Sequence, residues 1–350
     1  MKIKIVLVAA SVMMLAASCN PFAKAPLGGI AKTTNGGTDW QFVNARVEGD
    51  NKVGSISGAK IGTMLVSQNN PRRVYAASYN GGVLYSDNAG ESWQQILSNV
   101  NMYDIALDPD KSEHIFAAGS VGGRGRVLVT NDNGKSWQDT FTEATTENPV
   151  REIALNPNNS QQIYIGLQSG SLIKSTDGGT NWQLVQSFAD RIQSINWHKD
   201  GTIFVLLRRQ GLRMSIDGTT FTDASTDLTG DRAFDAFKDR VSTFVQLAVN
   251  EKNSSLLYVT TDQGMFKTDT KGASWTKLSV PSKEDVHTRA VALARSSDDV
   301  VYASVGPTIY KSTDGGKTFL THSIATSGFI NYIVVDPERS QVAFAGIVTE

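Results

Sequence analysis

An all-β protein folded as a single seven-bladed β-propeller, with four strands in each blade, is the architecture that the sequence predicts. First, the motif Ser/Thr-x-Asp/Asn-x-Gly-x-x-Trp, clearest from Ser175 to Trp182, recurs along the chain. Second, the aromatic residues that close its copies lie 53, 44, 45, 39, 54 and 44 residues apart, and a period in the forties is typical of repeats that each form one small sheet. Third, the two ends of the chain supply complementary halves of one repeat.

The repeated motif has the composition of a tight turn. Asp or Asn accepts hydrogen bonds from nearby backbone N–H groups, glycine adopts positive φ, and the closing aromatic buries a large apolar area. One copy carries Thr270 instead of an acid, two end in Phe221 and Phe319, and the copy at Ser215 is one residue short. A calcium-binding EF-hand loop needs more acids and a closing glutamate. We therefore assign a structural role to Asn35, Asn88, Asp132, Asp177, Asp217, Asp314, Trp40, Trp93, Trp137, Trp182 and Trp275.

Each complete repeat contains four strand-like segments. In the first of them these are IGTMLVSQ (61–68), RVYAASY (73–79), the start of GVLYSDNAGESW (82–93) and the segment that follows Trp93. Runs of β-branched and aromatic residues bounded by Gly, Pro, Asn or Asp are typical of strands. Six internal repeats follow this pattern, and they predict six four-stranded blades.

The chain ends predict the seventh blade. The C-terminal segment FINYIVVDPERSQVAFAGIVTE (329–350) supplies two strands and stops, whereas GGIAKTTNGGTDWQFV (28–43) supplies the other two. Joining them closes the ring and removes an exposed edge strand.

Two stretches interrupt the repeats. The stretch 44–59 is polar and rich in glycine, and we expect a loop there. The second, 222–244, contains DRAFDAFKDR (231–240), for which we expect either two or three turns of helix or a mobile loop.

The N-terminus is typical of an export signal. Lys2 and Lys4 precede an apolar run, Ile5 to Ala17, which is too short to span a bilayer as a helix. Small residues then precede Cys19, the only cysteine, as in the lipobox of bacterial lipoproteins. We predict a signal peptide (1–18), a tether (19–26) and the propeller (27–350), with lipidated Cys19 anchoring an exported protein to the periplasmic or outer-membrane face of a bacterial envelope membrane. A plain cleavage site without lipidation is the alternative.

Composition excludes several function classes. With 33 basic and 34 acidic residues the chain is nearly neutral, which gives no indication of nucleic-acid binding. The four histidines lack metal-ligand spacing and a nucleophile partner. We expect no cofactor, no metal and no nucleic-acid partner.

The repeats resemble those of the Asp-box (BNR) propellers. That superfamily includes sialidases, xyloglucanase-type glycosidases, sortilin-type receptors and the photosystem II assembly factor of thylakoids, and the resemblance covers almost the whole mature chain. It implies the fold rather than one activity, because the Asp boxes are scaffold in all of these families.

Two enzyme classes within this resemblance lack their signatures here. Sialidases carry a Phe/Tyr-Arg-Ile-Pro signature that does not occur in this sequence. The stretch RVYAASYNGGVLYSD resembles an early blade of the xyloglucanases, but Ser78 and Tyr79 stand where Thr and the catalytic Asp are expected. No second carboxylate suggests the pair that glycoside hydrolysis requires. We therefore predict a non-catalytic protein, with a glycosidase as the alternative.

The arginines favour a binding role. Loops between the second and third strands share one face of a propeller with the starts of the innermost strands. Arg124, Arg126, Arg208 and Arg209 are predicted in such loops, and Arg151, Arg191 and Arg289 at strand starts. Guanidinium groups there suit carboxylates, phosphates or an acidic peptide. The other candidate contacts on this rim are Tyr79, Asn80, Gln168 and Asp262. In the opposing interpretation the arginines are solvated or paired with Asp190, Glu152 and Asp285.

The sequence therefore predicts a lipid-anchored scaffold that binds a membrane or envelope protein, as an assembly factor or accessory subunit. This follows partly from the resemblance to the thylakoid assembly factor, which holds a membrane-protein segment. A carbohydrate-binding or glycosidase-like propeller is the alternative, and a subunit held by its blade edges is a third interpretation.

Overall fold

The computed structural model describes residues 28–229, 241–282 and 287–349. Several sequence predictions lie outside these ranges: the signal peptide, the lipidated Cys19, the helix within 231–240 and the pairing role of Asp285.

Seven antiparallel sheets of four strands form the propeller that the sequence predicts. Blades 1 to 6 each use four consecutive strands, and the first strand of each blade is the innermost. Blade 1 contains β5 (Ile61–Val66), β6 (Val74–Ser78), β7 (Gly82–Ser86) and β8 (Gln94–Leu97). Blade 2 contains β9 (Asn101–Leu107), β10 (Ile115–Val121), β11 (Arg124–Thr130) and β12 (Gln138–Thr146). Blade 3 contains β13 (Val150–Asn156), β14 (Asn159–Leu167), β15 (Ser171–Ser175) and β16 (Gln183–Ser187).

The remaining internal blades follow the same order. Blade 4 contains β17 (Ile192–Trp197), β18 (Ile203–Leu207), β19 (Gly211–Ser215) and β20 (Thr222–Asp223), followed by the short helix α1 (Thr226–Thr229). Blade 5 contains β21 (Phe244–Val249), β22 (Leu257–Thr261), β23 (Gly264–Thr268) and β24 (Thr276–Leu278). Blade 6 contains β25 (Thr288–Leu293), β26 (Val301–Val305), β27 (Thr308–Ser312) and β28 (Leu320–Ser323).

Blade 7 joins the two ends of the described chain. The C-terminal strands β29 (Phe329–Val335) and β30 (Ala343–Val348) pair with each other, and β30 pairs with β1 (Gly29–Thr33), which pairs with β2 (Gln41–Phe42). The β1–β30 ladder runs from Gly29 opposite Ile347 to Thr33 opposite Ala343. No edge strand is left between the first and last blades, which removes a site of unwanted strand pairing.

The stretch 44–59 contains a β-hairpin, so the prediction of a loop was wrong. Strands β3 (Ala45–Glu48) and β4 (Asn51–Ser55) pair across a two-residue turn in which Gly49 has φ 59°. The hairpin is stabilised from outside itself, because the N–H of Val47 donates to Trp93 O (2.9 Å) and the N–H of Trp93 donates to Ala45 O (2.9 Å). Strand formation depends more on pairing with a neighbouring backbone than on intrinsic propensity. The hydrogen bonds to the backbone of Trp93 therefore allow this polar, glycine-rich sequence to form strands.

The two ends of the propeller differ. The innermost strands begin at one end, which we call the mouth face, and the Asp boxes follow the third strand of each blade at the other, which we call the box face. Ser86, which opens one box, pairs with Val74, and Val74 pairs with Val66 at the far end of β5. Gly29 pairs with Ile347 next to the start of β29, so the chain enters the propeller on the mouth face.

The Asp boxes make the hydrogen bonds of a turn. In the box of blade 3 the Ser175 hydroxyl donates to Asp177 (2.9 Å) and accepts the N–H of Gly179 (2.8 Å), while Asp177 accepts the N–H of Asn181 (2.8 Å). The indole N–H of Trp182 donates to Thr140 O of blade 2 (2.9 Å). The same kind of hydrogen bond, from the indole N–H to a backbone carbonyl of the preceding blade, is made by Trp93, Trp137, Trp182 and Trp275.

Candidate ligand site at the channel mouth

The mouth face opens into the central channel through a cavity of about 280 Å³. Each of the seven innermost strands contains a β-bulge, in which one extra residue has no partner on the second strand. Six of these bulged residues have a side chain, and the one in blade 1 is a glycine. In blade order the bulged residues are Gly62, Tyr103, Arg151, Gln193, Val245, Arg289 and Asn331. All seven line the cavity.

The repeated bulge explains why these side chains reach the channel. Val150 pairs with Leu167 and Glu152 with Gly166, so Arg151 between them is left out of the ladder. A bulge bends the strand and re-aims a side chain that would otherwise face a neighbouring blade. The next residue then lines the channel below, and the positions of this second ring that line the cavity are Thr63, Asp104, Glu152, Ser194, Gln246 and Tyr332.

Tyr79 takes the place that a side chain on Gly62 would occupy. A Cβ on Gly62 would lie 2.5 Å from the Tyr79 ring. The ring packs on Tyr103 with centroids 5.4 Å apart, and its hydroxyl accepts a hydrogen bond from Asn331 Nδ2 at 3.4 Å. Burial raises the pKa of Tyr79, so it is a neutral aromatic wall where the xyloglucanase pattern requires an acid.

Three arginines line the mouth, as predicted, but their surroundings differ. Arg151 donates to Gln168 Oε1 at 2.7 Å and lies over the Tyr103 ring, 4.1 Å from its centroid. Arg289 lies 3.9 Å from the centroid of Phe329. Arg191 donates to Gln193, and its Nε, although buried, has no acceptor among the described residues. Burial, with Arg151 and then Arg208, lowers the pKa of Arg191, but a guanidinium stays charged at physiological pH.

Two carboxyl groups meet in the same cavity, which corrects the expectation that no such pair exists. Asp104 and Glu152 lie on neighbouring innermost strands, and burial, followed by the charge of Asp104, raises the pKa of Glu152. The oxygens of Asp104 accept the N–H groups of Ile105 (2.9 Å) and Ile153 (3.0 Å). The bond from Ile153, a residue of blade 3, joins the innermost strands of blades 2 and 3 through Asp104.

The stability of the protein is expected to fall as the pH rises from about 4 to 7. Burial raises the pKa of Asp104 from 3.8 to about 7, so over this interval the folded chain holds a proton that the unfolded chain has released. The contribution is up to about 1.4 kcal/mol per pH unit. Thermal unfolding of the wild type and of Asp104→Asn at pH 4.5, 6 and 7.5 tests this. The variant should lose part of the slope, and an unchanged slope would contradict the assignment.

Three of the polar residues predicted as contacts bond to other residues of the protein: two hold loops and the third positions an arginine. Asn80 Oδ1 accepts the N–H of Lys60 (2.9 Å), and Asn80 Nδ2 donates to Gly58 O (3.0 Å). Asp262 accepts the N–H groups of Ser242 and Thr243. Gln168 positions Arg151. The polar groups of these three side chains therefore form hydrogen bonds within the protein.

The arginines of blade 2 are not in a loop, contrary to the sequence prediction. Strand β11 begins at Arg124, and only Gly122 and Gly123, both with positive φ, connect it to β10. Arg126 forms an ion pair with Asp139 (2.8 Å), and Arg124 donates to backbone carbonyls of β12. The two glycines allow a tight hairpin that extends the ladder to its end.

Asp190 does not pair with an arginine side chain among the described residues. Its carboxylate accepts the backbone N–H groups of Arg191 (2.8 Å), Arg209 and Gln210 (3.0 Å) instead. Arg208 and Arg209 are exposed on this loop, so they are solvated, which is the other half of the opposing interpretation.

A second cavity, of about 410 Å³, opens on the box face. Trp197, His198 and Lys199 line it, and Glu251 forms ion pairs there with Lys199 (3.5 Å) and Arg295 (2.5 Å). Within the described ranges no group of three or more His, Cys, Asp or Glu side chains is arranged to hold a metal ion. In the same part of the chain, no helix has the length and apolarity needed to cross a membrane.

Sequence reasoning missed several mouth residues, although a signal was present. In every blade the bulged residue stands two positions before a buried apolar residue of the innermost strand, as Tyr103 precedes Ile105 and Arg151 precedes Ile153. Aligning the repeats on that aliphatic position would place the missed residues in two rings: Tyr103, Asp104, Glu152, Gln193, Gln246, Asn331 and Tyr332.

Two relatives illustrate the range of functions among similar proteins. Sortilin of Danio rerio is 24% identical over 309 residues, which cover 79% of this chain and 35% of sortilin. The photosystem II assembly lipoprotein Ycf48 of Synechococcus sp. (strain CC9902) is 26% identical over 148 residues, 40% of this chain and 41% of that protein. This chain thus matches only about a third to two fifths of the length of these relatives.

Solved structures share the fold. The GH74 enzyme of Niastella koreensis has a TM-score of 0.66 at 20% identity, covering 83% of this chain and 51% of the enzyme. A structure of YCF48 bound to D1 peptide has a TM-score of 0.63 at 14% identity, covering 83% of this chain and 94% of that one.

The family match comes from the sequence itself. Residues 81–267, more than half of the chain, match the model of the Sortilin-Vps10 family (sortilin, neurotensin receptor 3). These residues include the last two strands of blade 1, all of blades 2, 3 and 4, and the first strands of blade 5. With the Asp boxes and the seven four-stranded blades in place, the chain belongs to the Sortilin-Vps10 family of Asp-box propellers.

Proposed function

We propose that this protein is a non-catalytic scaffold that binds an acidic segment of a membrane or envelope protein at the channel mouth. The observation that carries the proposal is that three arginines, Arg151, Arg191 and Arg289, line the cavity at the mouth. Guanidinium groups bind planar anions such as carboxylates through paired hydrogen bonds.

The similar proteins support a role in assembly. One relative is named as a photosystem II assembly lipoprotein, and YCF48 has been solved with a D1 peptide. We transfer the general role of holding a partner segment, and the residues that would do so here are those of this chain's own mouth.

We further propose that the chain is exported and anchored through lipidated Cys19. Gly28, where the described chain begins, lies at the mouth face beside Thr349. The nine residues from Cys19 to Gly28 reach at most about 30 Å when extended. An anchor at Cys19 would hold the mouth face near the bilayer, where segments of membrane proteins emerge.

A carbohydrate-binding or glycosidase-like function is the second candidate. The fold shared with the GH74 enzyme and the aromatic pair of Tyr79 and Tyr103 at the mouth favour it. Against catalysis stands the pairing of Asp104 with backbone N–H groups, which leaves Glu152 as the free carboxyl of the pair.

A detergent pull-down of the full-length, tagged protein from its native membranes tests the favoured function. The test variant carries Arg151→Ala, Arg191→Ala and Arg289→Ala. The matched control carries Arg213→Ala and Arg339→Ala, which remove two arginines that form ion pairs with Asp223 and Asp336 and do not line the mouth cavity. A Cys19→Ala arm reports the anchor, since that variant should no longer sediment with membranes.

Capture of one defined membrane protein by the wild type and the control, and its loss from the mouth variant, is the expected result. Retention of the partner by the mouth variant would overturn the mouth as the binding site. If no protein is captured and the wild type binds oligosaccharides on a glycan array, the carbohydrate function takes precedence.

A further inference from the structure

The cavity of about 410 Å³ on the box face has an apolar wall built from one repeated position. In each blade this position of the innermost strand is paired, through the second strand, with the Ser or Thr that opens the Asp box. The members that line the cavity, in blade order, are Val66, Leu107, Leu155, Trp197 and Val249. All seven blades place an apolar residue at this position, and only blade 4 places an aromatic one.

Trp197 differs from the other tryptophans of the chain in its indole N–H. The indole groups of Trp40, Trp93, Trp137, Trp182 and Trp275 all donate to backbone carbonyl groups. The N–H of Trp197 donates to no group within the described ranges, and the half-buried side chain keeps its nitrogen in contact with solvent. The ring is held in place by Tyr164, whose ring centroid lies 4.9 Å away. Trp197 therefore offers an unused hydrogen-bond donor at an apolar wall.

Asn196, the residue before Trp197, adds an unused acceptor to the same cavity. Its Nδ2 donates to Ser194 Oγ at 3.4 Å, and no donor in the part of the chain that the structure describes reaches its Oδ1. The equivalent positions of the other six blades are all apolar: Leu65, Ala106, Ala154, Ala248, Ala292 and Val334. Blade 4 thus departs from the internal repeat at two adjacent cavity positions, and such departures are typical of functional sites.

The charged groups that line this cavity are bonded within the protein. The carboxylate of Asp108 is buried and accepts hydrogen bonds from its own loop. Glu251 forms ion pairs with Lys199 (3.5 Å) and Arg295 (2.5 Å). The Nε2 of His198 lies 3.0 Å from the backbone oxygen of Glu251. An uncharged ligand suits such a cavity, because a charged one would lose its hydration without gaining a partner.

We propose that the box-face cavity is a second binding site, which takes an uncharged amide group next to an apolar group. The ligand's carbonyl accepts the indole N–H of Trp197, a ligand N–H donates to Oδ1 of Asn196, and the apolar group packs against the wall that includes Leu107 and Leu155. A peptide chain offers this chemistry at an apolar residue, and so does a small free amide. The site goes beyond the proposed function, because it uses no residue of the mouth.

Four probes separate these sources from other ligands. N-acetyl-leucine methylamide carries the amide and the apolar group in one small molecule. N-acetyl-asparagine methylamide has nearly the same shape with a polar side chain, and it is the matched control. The pentapeptide Gly-Gly-Leu-Gly-Gly, blocked at both ends, represents a peptide chain. Cellotetraose has neither an amide nor an apolar side chain, and it represents carbohydrate.

NMR spectroscopy of the full chain, labelled with nitrogen-15 in its tryptophans, observes the six indole N–H groups. The spectrum of Trp197→Phe identifies the signal of Trp197. Without a ligand this N–H should exchange with water faster than the others, because it alone lacks an acceptor. The leucine probe should shift the signal with a dissociation constant on the order of 1 mM. The asparagine probe should bind at least about tenfold more weakly, because it loses the apolar contact.

Saturation-transfer NMR, which observes the probe, compares the variants. Trp197→Phe keeps an aromatic ring but loses the donor, so it should bind the leucine probe about fivefold more weakly. Asn196→Ala should weaken binding by a similar factor. Trp182→Phe is the matched control, since Trp182 does not line the cavity and its N–H is already bonded to Thr140 O. This control should bind as the wild type does. Thermal unfolding verifies that each variant is folded.

The proposal is overturned by equal binding of the leucine and asparagine probes, by unchanged binding to Trp197→Phe, or by absence of binding. Slow exchange of the Trp197 N–H would also overturn it, and a shift with cellotetraose alone would assign the cavity to carbohydrate instead. Binding of the leucine probe and of the pentapeptide supports a peptide ligand, whereas binding of the small probe alone supports a free amide. The variant with alanine at Arg151, Arg191 and Arg289 should bind the leucine probe normally, so failure at one face is distinguishable from failure at the other.

Discussion

Replacing Trp93 with alanine is expected to lower the free energy of unfolding by about 3 to 5 kcal/mol. Trp93 is fully buried, with 0% of its surface exposed, in the cluster that also holds Ile30, Leu84 and Phe344. Those residues belong to blades 7 and 1, so the indole fills the junction at which the ring closes. Truncation would leave a cavity there and remove the hydrogen bond from Nε1 to Val43 O (2.7 Å).

The size of this effect depends on the hairpin β3–β4. Its strand β3 exchanges backbone hydrogen bonds with Trp93 and covers it from solvent. The equivalent Trp182 in blade 3 donates to Thr140 O (2.9 Å) but stays partly exposed. Trp182→Ala is therefore the matched control, and it should cost clearly less because less apolar surface is lost. Denaturant unfolding of both variants measures the difference, and equal losses would contradict the role given to the hairpin.

Reversing the charge at Arg191 is expected to reduce partner binding by at least about thirtyfold, or about 2 kcal/mol. The change removes a guanidinium that lines the mouth and places a carboxylate near Glu152, whose pKa Arg191 lowers in the wild type. A ligand carboxylate would then meet like charge instead of a guanidinium, which costs more than simple removal of a contact.

Calorimetry with the captured partner, comparing the wild type with Arg191→Glu and Arg191→Lys, measures this effect. Lysine keeps the charge but not the planar fork, so Arg191→Lys should recover only part of the affinity. The wild-type affinity should also weaken with added salt. If Arg191→Glu binds as well as the wild type while remaining folded, the mouth is not the contact surface and a blade edge becomes the candidate.

The candidate site was only partly predictable. Arg151, Arg191 and Arg289 could be placed on the mouth because a strand start has a known position in a propeller blade. Glu152 could not be distinguished from Asp104, because both read as one acidic residue in an innermost strand. Their difference comes from the N–H of Ile153, which reaches Asp104 across the blade boundary. A contact between blades has no local signature in sequence.

The arginines of blade 2 illustrate the opposite error. Arg124 and Arg126 stand after two glycines and were expected in a loop, yet the ladder between β10 and β11 continues to Val121 opposite Arg124. A strand ends where its hydrogen bonding to the neighbouring strand ends. The local sequence around the two glycines does not show where that is.

The sequence by itself determined the number of blades, the strands that build them and the closure of the ring by both ends of the chain. These properties repeat along the chain, and each follows from local turn chemistry and strand periodicity. Only the tertiary structure decided which side chains meet in the channel, that the stretch 44–59 covers Trp93, and that Asp104 accepts a hydrogen bond from the neighbouring blade. Those properties arise where different blades approach one another, and the physical reason they escape the sequence is that such contacts join residues far apart in the chain.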